Sequence, residues 1–239
     1  MSRKKAKTDK GRKGNTGKKP RSAVRPGGKD RKQKKAKTGK KAAFSAGNNT
    51  KIFILSGPGG VGKTTLSNSL FRKKGIKSRV IKGITVTTRK QRPGEAEGKD
   101  YFFVSKEDFL KLKKNNFFLE TQKVLNCYYG TPRILYTLAE KLKKSLLLCI
   151  DVKGALYLKK QFKAGKIITI FLTAPREKEL YKRMRKRDES KEIIKKRIEL
   201  AKKELSSANK YDYVLTNKNI NSTINNLQKI ILENIGEIC

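Results

Sequence analysis

The sequence predicts an α/β fold: a mostly parallel sheet core flanked by helices on both faces, carrying one β-rich insertion. Two observations predict the core. Short apolar runs bounded by turn residues alternate with segments of helical spacing, the pattern of strand, crossover helix and parallel strand. These runs are predominantly apolar, as expected of strands buried on both faces. The insertion follows from a third observation, a single break in the alternation between Ile84 and Tyr129.

Strands are expected at Lys51–Ser56 (KIFILS), Leu146–Asp151 (LLLCID), Ile167–Leu172 (IITIFL) and Tyr211–Thr216 (YDYVLT). Helical spacing occupies Lys63–Arg72, Thr131–Leu142, Arg176–Arg187, Lys191–Ala208 and Asn221–Asn234. Between Ile84 and Tyr129 lie short β-rich pieces such as ITVTT and YFFVS, which read as an insertion building a site of its own.

Composition limits the function classes. The 239 residues hold 61 Lys+Arg against 20 Asp+Glu, a formal net charge of +41. Such a balance favours polyanionic partners: nucleic acid, anionic membrane surfaces or phosphate-bearing small molecules. After Met1, Val24 and Phe44 are the only large apolar side chains before Ile52. Residues 1–48 therefore cannot offset their chain entropy and are expected to be a disordered basic tail, with 49–239 as the folded domain. No apolar run approaches the roughly 18–20 residues of a membrane span. The N-terminus lacks the apolar region of a secretion signal and the pattern of an import signal, so the cytoplasm is the expected location. Cys127, Cys149 and Cys239 match neither a disulfide framework nor a zinc site. Histidine is absent, which excludes imidazole metal sites and imidazole acid/base catalysis.

Directly after the first strand, GPGGVGKTT (Gly57, Pro58, Gly59, Gly60, Val61, Gly62, Lys63, Thr64, Thr65) fits the P-loop pattern in its required context of strand, loop and helix. Glycines let successive backbone N–H groups turn inward on an anion, and the helix N-terminus adds partial positive charge. Lys63 is placed to reach the outer phosphates of a nucleoside triphosphate, and the Thr64 hydroxyl to ligate Mg²⁺. This motif leaves the phosphoryl acceptor open. Arg89 and Arg92 lie three residues apart in a Pro/Gly-containing loop, and the planar fork of arginine matches phosphate oxygens two at a time. Against a basic background that loop could equally be a solvated turn, but Glu95, Asp100 and Tyr101 follow closely, and Glu120 precedes Tyr129 and Thr131 in a second cluster.

Over essentially all of Lys51–Asn234 the blocks ILSGPGGVGKTTL, TTRKQRPGEAEGKDYFFVSKEDF, FLETQKVLNCYYGTP, LLLCIDVKGA, KELYKRMRKR and AKKELSSANKYDYVLTN resemble guanylate kinase in order and spacing. The resemblance implies a P-loop NTPase-type core, with residues 84–130 as a GMP-binding subdomain and 183–197 as a helical lid. It implies transfer of the γ-phosphoryl of ATP to GMP, or more slowly dGMP, with Mg²⁺ required. GMP would be held by Thr85, Arg89, Arg92, Glu95, Tyr101, Glu120, Tyr129 and Thr131. Of these, the Glu120 carboxylate would accept from guanine N1–H and the 2-amino group, donors that adenine lacks at that edge. Lys63, Arg92, Arg183, Arg187 and Arg197 would carry catalysis, Asp151 would approach the Mg²⁺ held by Thr64, directly or through water, and Asn217 would contact adenine.

Three departures accompany the resemblance: Cys149 replaces a usual acid, Lys153 a usual glutamine, and the segment from Arg187 to Arg197 is one residue short. Other function classes also fit parts of the chain. A binding scaffold without turnover is disfavoured by the intact Gly57, Gly62, Lys63 and Thr64, and a kinase for another acceptor by Glu120 together with Thr131. A nucleic-acid-associated role rests on the basic tail, which is suited to salt-sensitive, sequence-independent contacts.

Overall fold

The computed structural model describes residues 50–185 and 190–236; the tail 1–48, Arg187 and Cys239 lie outside the described residues. The chain begins with β1 (Ile52–Ser56), α1 (Lys63–Leu70), the single turn α2 (Ile76–Arg79) and β2 (Val80–Lys82). An insertion follows, built from β3 (Thr85–Thr87), β4 (Tyr101–Phe103), α3 (Lys106–Lys114), β5 (Phe118–Val124) and β6 (Cys127–Pro132). It returns through α4 (Ile134–Lys141), β7 (Ser145–Cys149), α5 (Val152–Gln161), β8 (Ile167–Thr173) and α6 (Glu177–Arg185). Last come α7 (Lys191–Leu205), β9 (Tyr213–Thr216) and α8 (Ile220–Asn234).

Five strands pair in parallel in the order β2-β7-β1-β8-β9. Every residue of the central strand β1 is buried, because its alternate side chains feed two cores. Phe53 and Leu55 pack with Leu66 and Leu70 of α1 and Leu227 and Ile231 of α8; Ile52 and Ile54 pack with Tyr136 of α4 and Leu158 of α5. The insertion forms a separate four-stranded mixed sheet, β4-β3-β6-β5, over its own small core of Val86, Phe109 and Phe118. Among the described residues no helix is long and apolar enough to cross a membrane.

The predicted alternation and insertion are present, with four corrections. Tyr211–Thr216, expected as a strand buried on both faces, is the edge strand β9, which starts at Tyr213 and leaves Val214 and Thr216 exposed because only β8 pairs with it. The strand expected to reach Asp151 stops at Cys149, and Asp151 instead caps a helix that periodicity did not reveal. Only Asp151 and Lys153 separate its apolar residues from those of the strand, and Gly154 in the first turn weakens helical propensity. The helix expected from Thr131 starts at Ile134, because Thr131 and Pro132 continue the β5–β6 ladder opposite Glu120 and Phe118. The insertion also holds α3, whose N-cap Ser105 accepts from the Asp108 N–H, a capping signal at the helix start.

In a parallel sheet the carboxyl ends of the strands open onto one edge, where ligands bind. Here β1 delivers the glycine loop to that edge and β7 delivers Asp151. The loop turns immediately at Gly57, whose φ of 141° excludes side chains and whose Cβ would lie 2.2 Å from the Leu172 carbonyl oxygen. That carbonyl belongs to β8, paired on both sides, and cannot retreat. Gly57→Ala is therefore expected to destabilise the fold by at least ~2 kcal/mol, read as a lowered melting temperature, and to abolish nucleoside triphosphate binding in calorimetry.

Candidate active site

The loop after β1 and the start of α1 form a backbone cradle, with Gly60 and Gly62 also at positive φ. The Lys63 ammonium is turned back onto the carbonyls of Gly57 and Pro58, the second at 3.2 Å. Thr64 is exposed at the helix start. Behind the cradle Asn217 is buried, and its side-chain N–H donates to the Val61 carbonyl at 2.9 Å. Asn217 thus braces the loop from β9. Helix α6 lies against Gly60 through Leu180, Arg183 and Met184.

Across the cleft, Arg89 is one of the few buried charges of the chain, 9% exposed. Glu95 takes one of its guanidinium nitrogens at 2.8 and 2.9 Å and also accepts the Arg92 backbone N–H at 3.0 Å. A second nitrogen of Arg89 donates to the Lys90 carbonyl, and the guanidinium stands 5.3 Å from the Tyr101 ring centroid. Tyr101 meets Tyr129 edge to face at 6.2 Å. Burial, then the neighbouring Tyr129, pushes the Tyr101 phenol up to about 12, so it stays a hydrogen-bond donor at neutral pH.

Deeper in the cleft, Glu120 is 5% exposed and accepts from the Thr131 hydroxyl at 2.7 Å. Its second oxygen, Oε2, is buried with no hydrogen-bond partner. Burial outweighs the Thr131 hydrogen bond and pushes this carboxyl up to about 7. Asp151 spends Oδ1 on the backbone N–H groups of Lys153 and Gly154, at 2.8 and 3.0 Å.

One cleft is lined by Gly59, Lys63 and Asp151 from the core, by Thr85, Arg89, Arg92, Tyr101, Glu120 and Tyr129 from the insertion, and by Arg197 from α7. Four cations therefore face two carboxylates, one of them disfavoured in its charged form by burial, a balance suited to phosphate groups. The donor set also fits Mg²⁺. A hydroxyl (Thr64) and a carboxylate (Asp151) are hard oxygen donors, and the described residues hold no cluster of three or more metal-ligating side chains. Such a site suits an ion that keeps most of its shell from phosphate and water.

A family model described as guanylate kinase matches residues 49–234. The guanylate kinase of Aster yellows witches'-broom phytoplasma (strain AYWB) is 41% identical over 181 residues, covering 75% of this chain and 84% of that protein. That of Mycoplasma genitalium is 40% identical over 186 residues, covering 77% and 76%. The chain belongs to the guanylate kinase family. The crystal structure of guanylate kinase from Anaplasma phagocytophilum superposes with a TM-score of 0.65 at 31% identity, covering 80% of this chain and 88% of that one.

Of the guanylate kinase residues expected from sequence, the cleft gathers Gly59, Lys63, Thr85, Arg89, Arg92, Tyr101, Glu120, Tyr129, Asp151 and Arg197. Glu95 and Thr131 stand one step back, each turned onto a cleft residue. Arg183 is exposed on α6 beside Gly60, and Arg187 lies outside the described residues. Sequence reasoning missed two groups. Glu204 of α7, beside Asp151, is pushed up to about 7 by burial, with Lys63 and Arg197 opposing. Gly154 is the second: a Cβ there would lie 2.9 Å from Glu120 Oε2, so any side chain would have to displace the carboxylate from its present position. Its signal was a glycine in a helix's first turn. Gly154→Ala is expected to force Glu120 aside and raise the KM for a guanine nucleotide about tenfold or more, since small displacements of binding groups have large kinetic costs. Steady-state kinetics beside a melting curve checks this, with little change expected in the latter.

Proposed function

We propose that this chain transfers the γ-phosphoryl of ATP to GMP, giving ADP and GDP, and that Glu120 selects the guanine. The buried, unpartnered Glu120 Oε2 carries this reading. A carboxylate with one oxygen engaged and one orphaned is costly alone and is relieved by the adjacent N1–H and 2-amino donors of guanine. AMP would leave it stranded, and sites built this way reject the analogue by roughly 10⁴-fold. Thr85, buried in the same cleft, offers its hydroxyl toward guanine O6, while Thr131 keeps its hydroxyl on Glu120.

The acceptor phosphate is taken by Arg89, Arg92, Tyr101 and Tyr129, with Glu95 holding Arg89 rather than touching the ligand itself. Lys63 leaves the Gly57 and Pro58 carbonyls for the donor phosphates, and Thr64 and Asp151 would hold Mg²⁺, which would supply charge neutralisation on those phosphates. A GMP phosphate oxygen attacks the γ-phosphorus as the bond to the β–γ bridging oxygen breaks. The nucleophile is already ionised, so no base is needed and the absence of histidine costs nothing. Arg92 and Arg197, on opposite sides, stabilise the transferring group, joined by Arg183 and Arg187 from residues 183–197 as the lid. Residues 84–130 serve as the acceptor module. Asn217 supports the donor loop from behind. The unpaired Cys127 and Cys149 suit a reducing compartment, the cytoplasm.

ADP release from ATP and Mg²⁺ tests the reading with GMP, AMP, UMP or no acceptor. A rate dependent on GMP is expected; equal rates with GMP and AMP would sink the guanine assignment. The pH dependence follows from Glu120. Guanine requires the ionised carboxylate, and burial places its pKa at about 7. Acidification through that value therefore competes with GMP, and the KM is expected to rise about tenfold from about pH 8 to pH 6. Glu120→Gln should bind weakly and retain only the shallow dependence contributed by the GMP phosphate. The ionised form is also the one burial penalises, so the unliganded protein loses this part of its stability as pH rises from about 4.5 to about 7, and GMP restores it.

A further inference from the structure

Lys82 ends the edge strand β2, and neither the P-loop pattern nor the arginine loop includes it. Its position is tightly set. The next residue, Gly83, donates its N–H to the Leu147 carbonyl at 2.8 Å, and a Cβ there would fall 2.4 Å from Leu148 Cδ2. From this anchored strand end the ammonium reaches two other elements. It donates to Asn68 Oδ1 on α1 at 2.7 Å and to the Lys99 carbonyl, just before β4, at 2.6 Å. Asn68 in turn donates to Asp100 Oδ1 at 3.4 Å, and Asp100 Oδ2 accepts the Ala96 N–H at 3.0 Å.

Helix α1 begins with Lys63 and Thr64; β4 begins with Tyr101, beside the acceptor clamp. One ammonium therefore joins the helix of the donor loop to the segment that carries a residue of the acceptor clamp. Lys82 also lines the narrow gap between Thr64, Thr85, Tyr101 and Cys149. Burial lowers its pKa, with Asp100 opposing. The neighbouring Cys149 thiol, pushed up by its own burial, is uncharged at neutral pH, which leaves Asp100 as the balancing charge.

We propose that Lys82 is a positioning residue for phosphoryl transfer, a strut through Asn68 and the Lys99 carbonyl that sets the spacing between donor loop and acceptor clamp. Charge-assisted hydrogen bonds are short and strong enough to hold such a spacing, and transfer between two bound substrates depends steeply on it. The identity of the acceptor rests on the ATP:GMP reading; the strut does not.

Lys82→Met, Asn68→Ala and the double variant test it in the full chain. Lys82→Met is expected to raise the KM for GMP and lower kcat, each about tenfold, and Asn68→Ala to act in the same direction more weakly. The ATP dissociation constant, by calorimetry without acceptor, should stay within about twofold, and the double variant should be no worse than Lys82→Met, because both remove one shared interaction. Amide exchange across residues 96–103 should quicken in Lys82→Met while that of β1 does not change. Unchanged exchange at 96–103, unchanged GMP parameters, or ATP affinity falling in parallel with GMP would each overturn the strut. If the wild-type chain shows no GMP-dependent rate, the ATP:GMP reading fails, and the exchange comparison alone decides the role of Lys82.

Discussion

The arrangement of the cleft depends on one costly group, the Glu120 carboxylate. Removing a carboxylate from water is unfavourable unless its oxygens are satisfied, and the protein satisfies only one of them. Much of the surrounding structure serves to tolerate this. The β5–β6 ladder brings Thr131 opposite Glu120, across a register shift between Phe118 and Glu120. Helix α5 presents Gly154 where any side chain would collide. The residual cost appears as a carboxyl held near neutrality, and a ligand with two adjacent N–H donors removes it.

The same helix shows how the core and the insertion share components. Its N-cap, Asp151, uses one oxygen on the first turn of α5, including the N–H of Gly154. Two residues, Asp151 and Gly154, thus serve as helix cap, cleft carboxylate and spacer for the Glu120 carboxylate. Such economy follows from packing the insertion's sheet against the carboxyl edge of the parallel sheet, so that β5 meets the first turn of α5.

Charge alone does not define the site in a chain with 61 Lys+Arg. What separates Arg89 from Lys90 beside it is burial and partnership. Arg89 is fixed by Glu95, the Lys90 carbonyl and the Tyr101 ring, whereas Lys90 is exposed. Fixing a guanidinium in advance removes entropy that it would otherwise lose on meeting an anion. A solvated lysine offers long-range attraction but no such geometry.

The sequence by itself determined the alternating strands, the two-faced core and the glycine loop with Lys63 and Thr64, and it pointed to Arg89, Arg92, Glu120 and Tyr129, which the fold brings to one cleft. These are local properties: periodicity, apolar runs and side-chain types at close spacing. Only the tertiary structure decided that Asp151 caps a helix, that Asn217 braces the donor loop, that Gly154 makes room for Glu120, and that Lys82 joins α1 to the start of β4. Each of these depends on atoms far apart in the chain, such as Asn217 and Val61, separated by 156 residues. No pattern in either segment specifies such a contact; it exists because parallel strands bring their distant ends to a common edge.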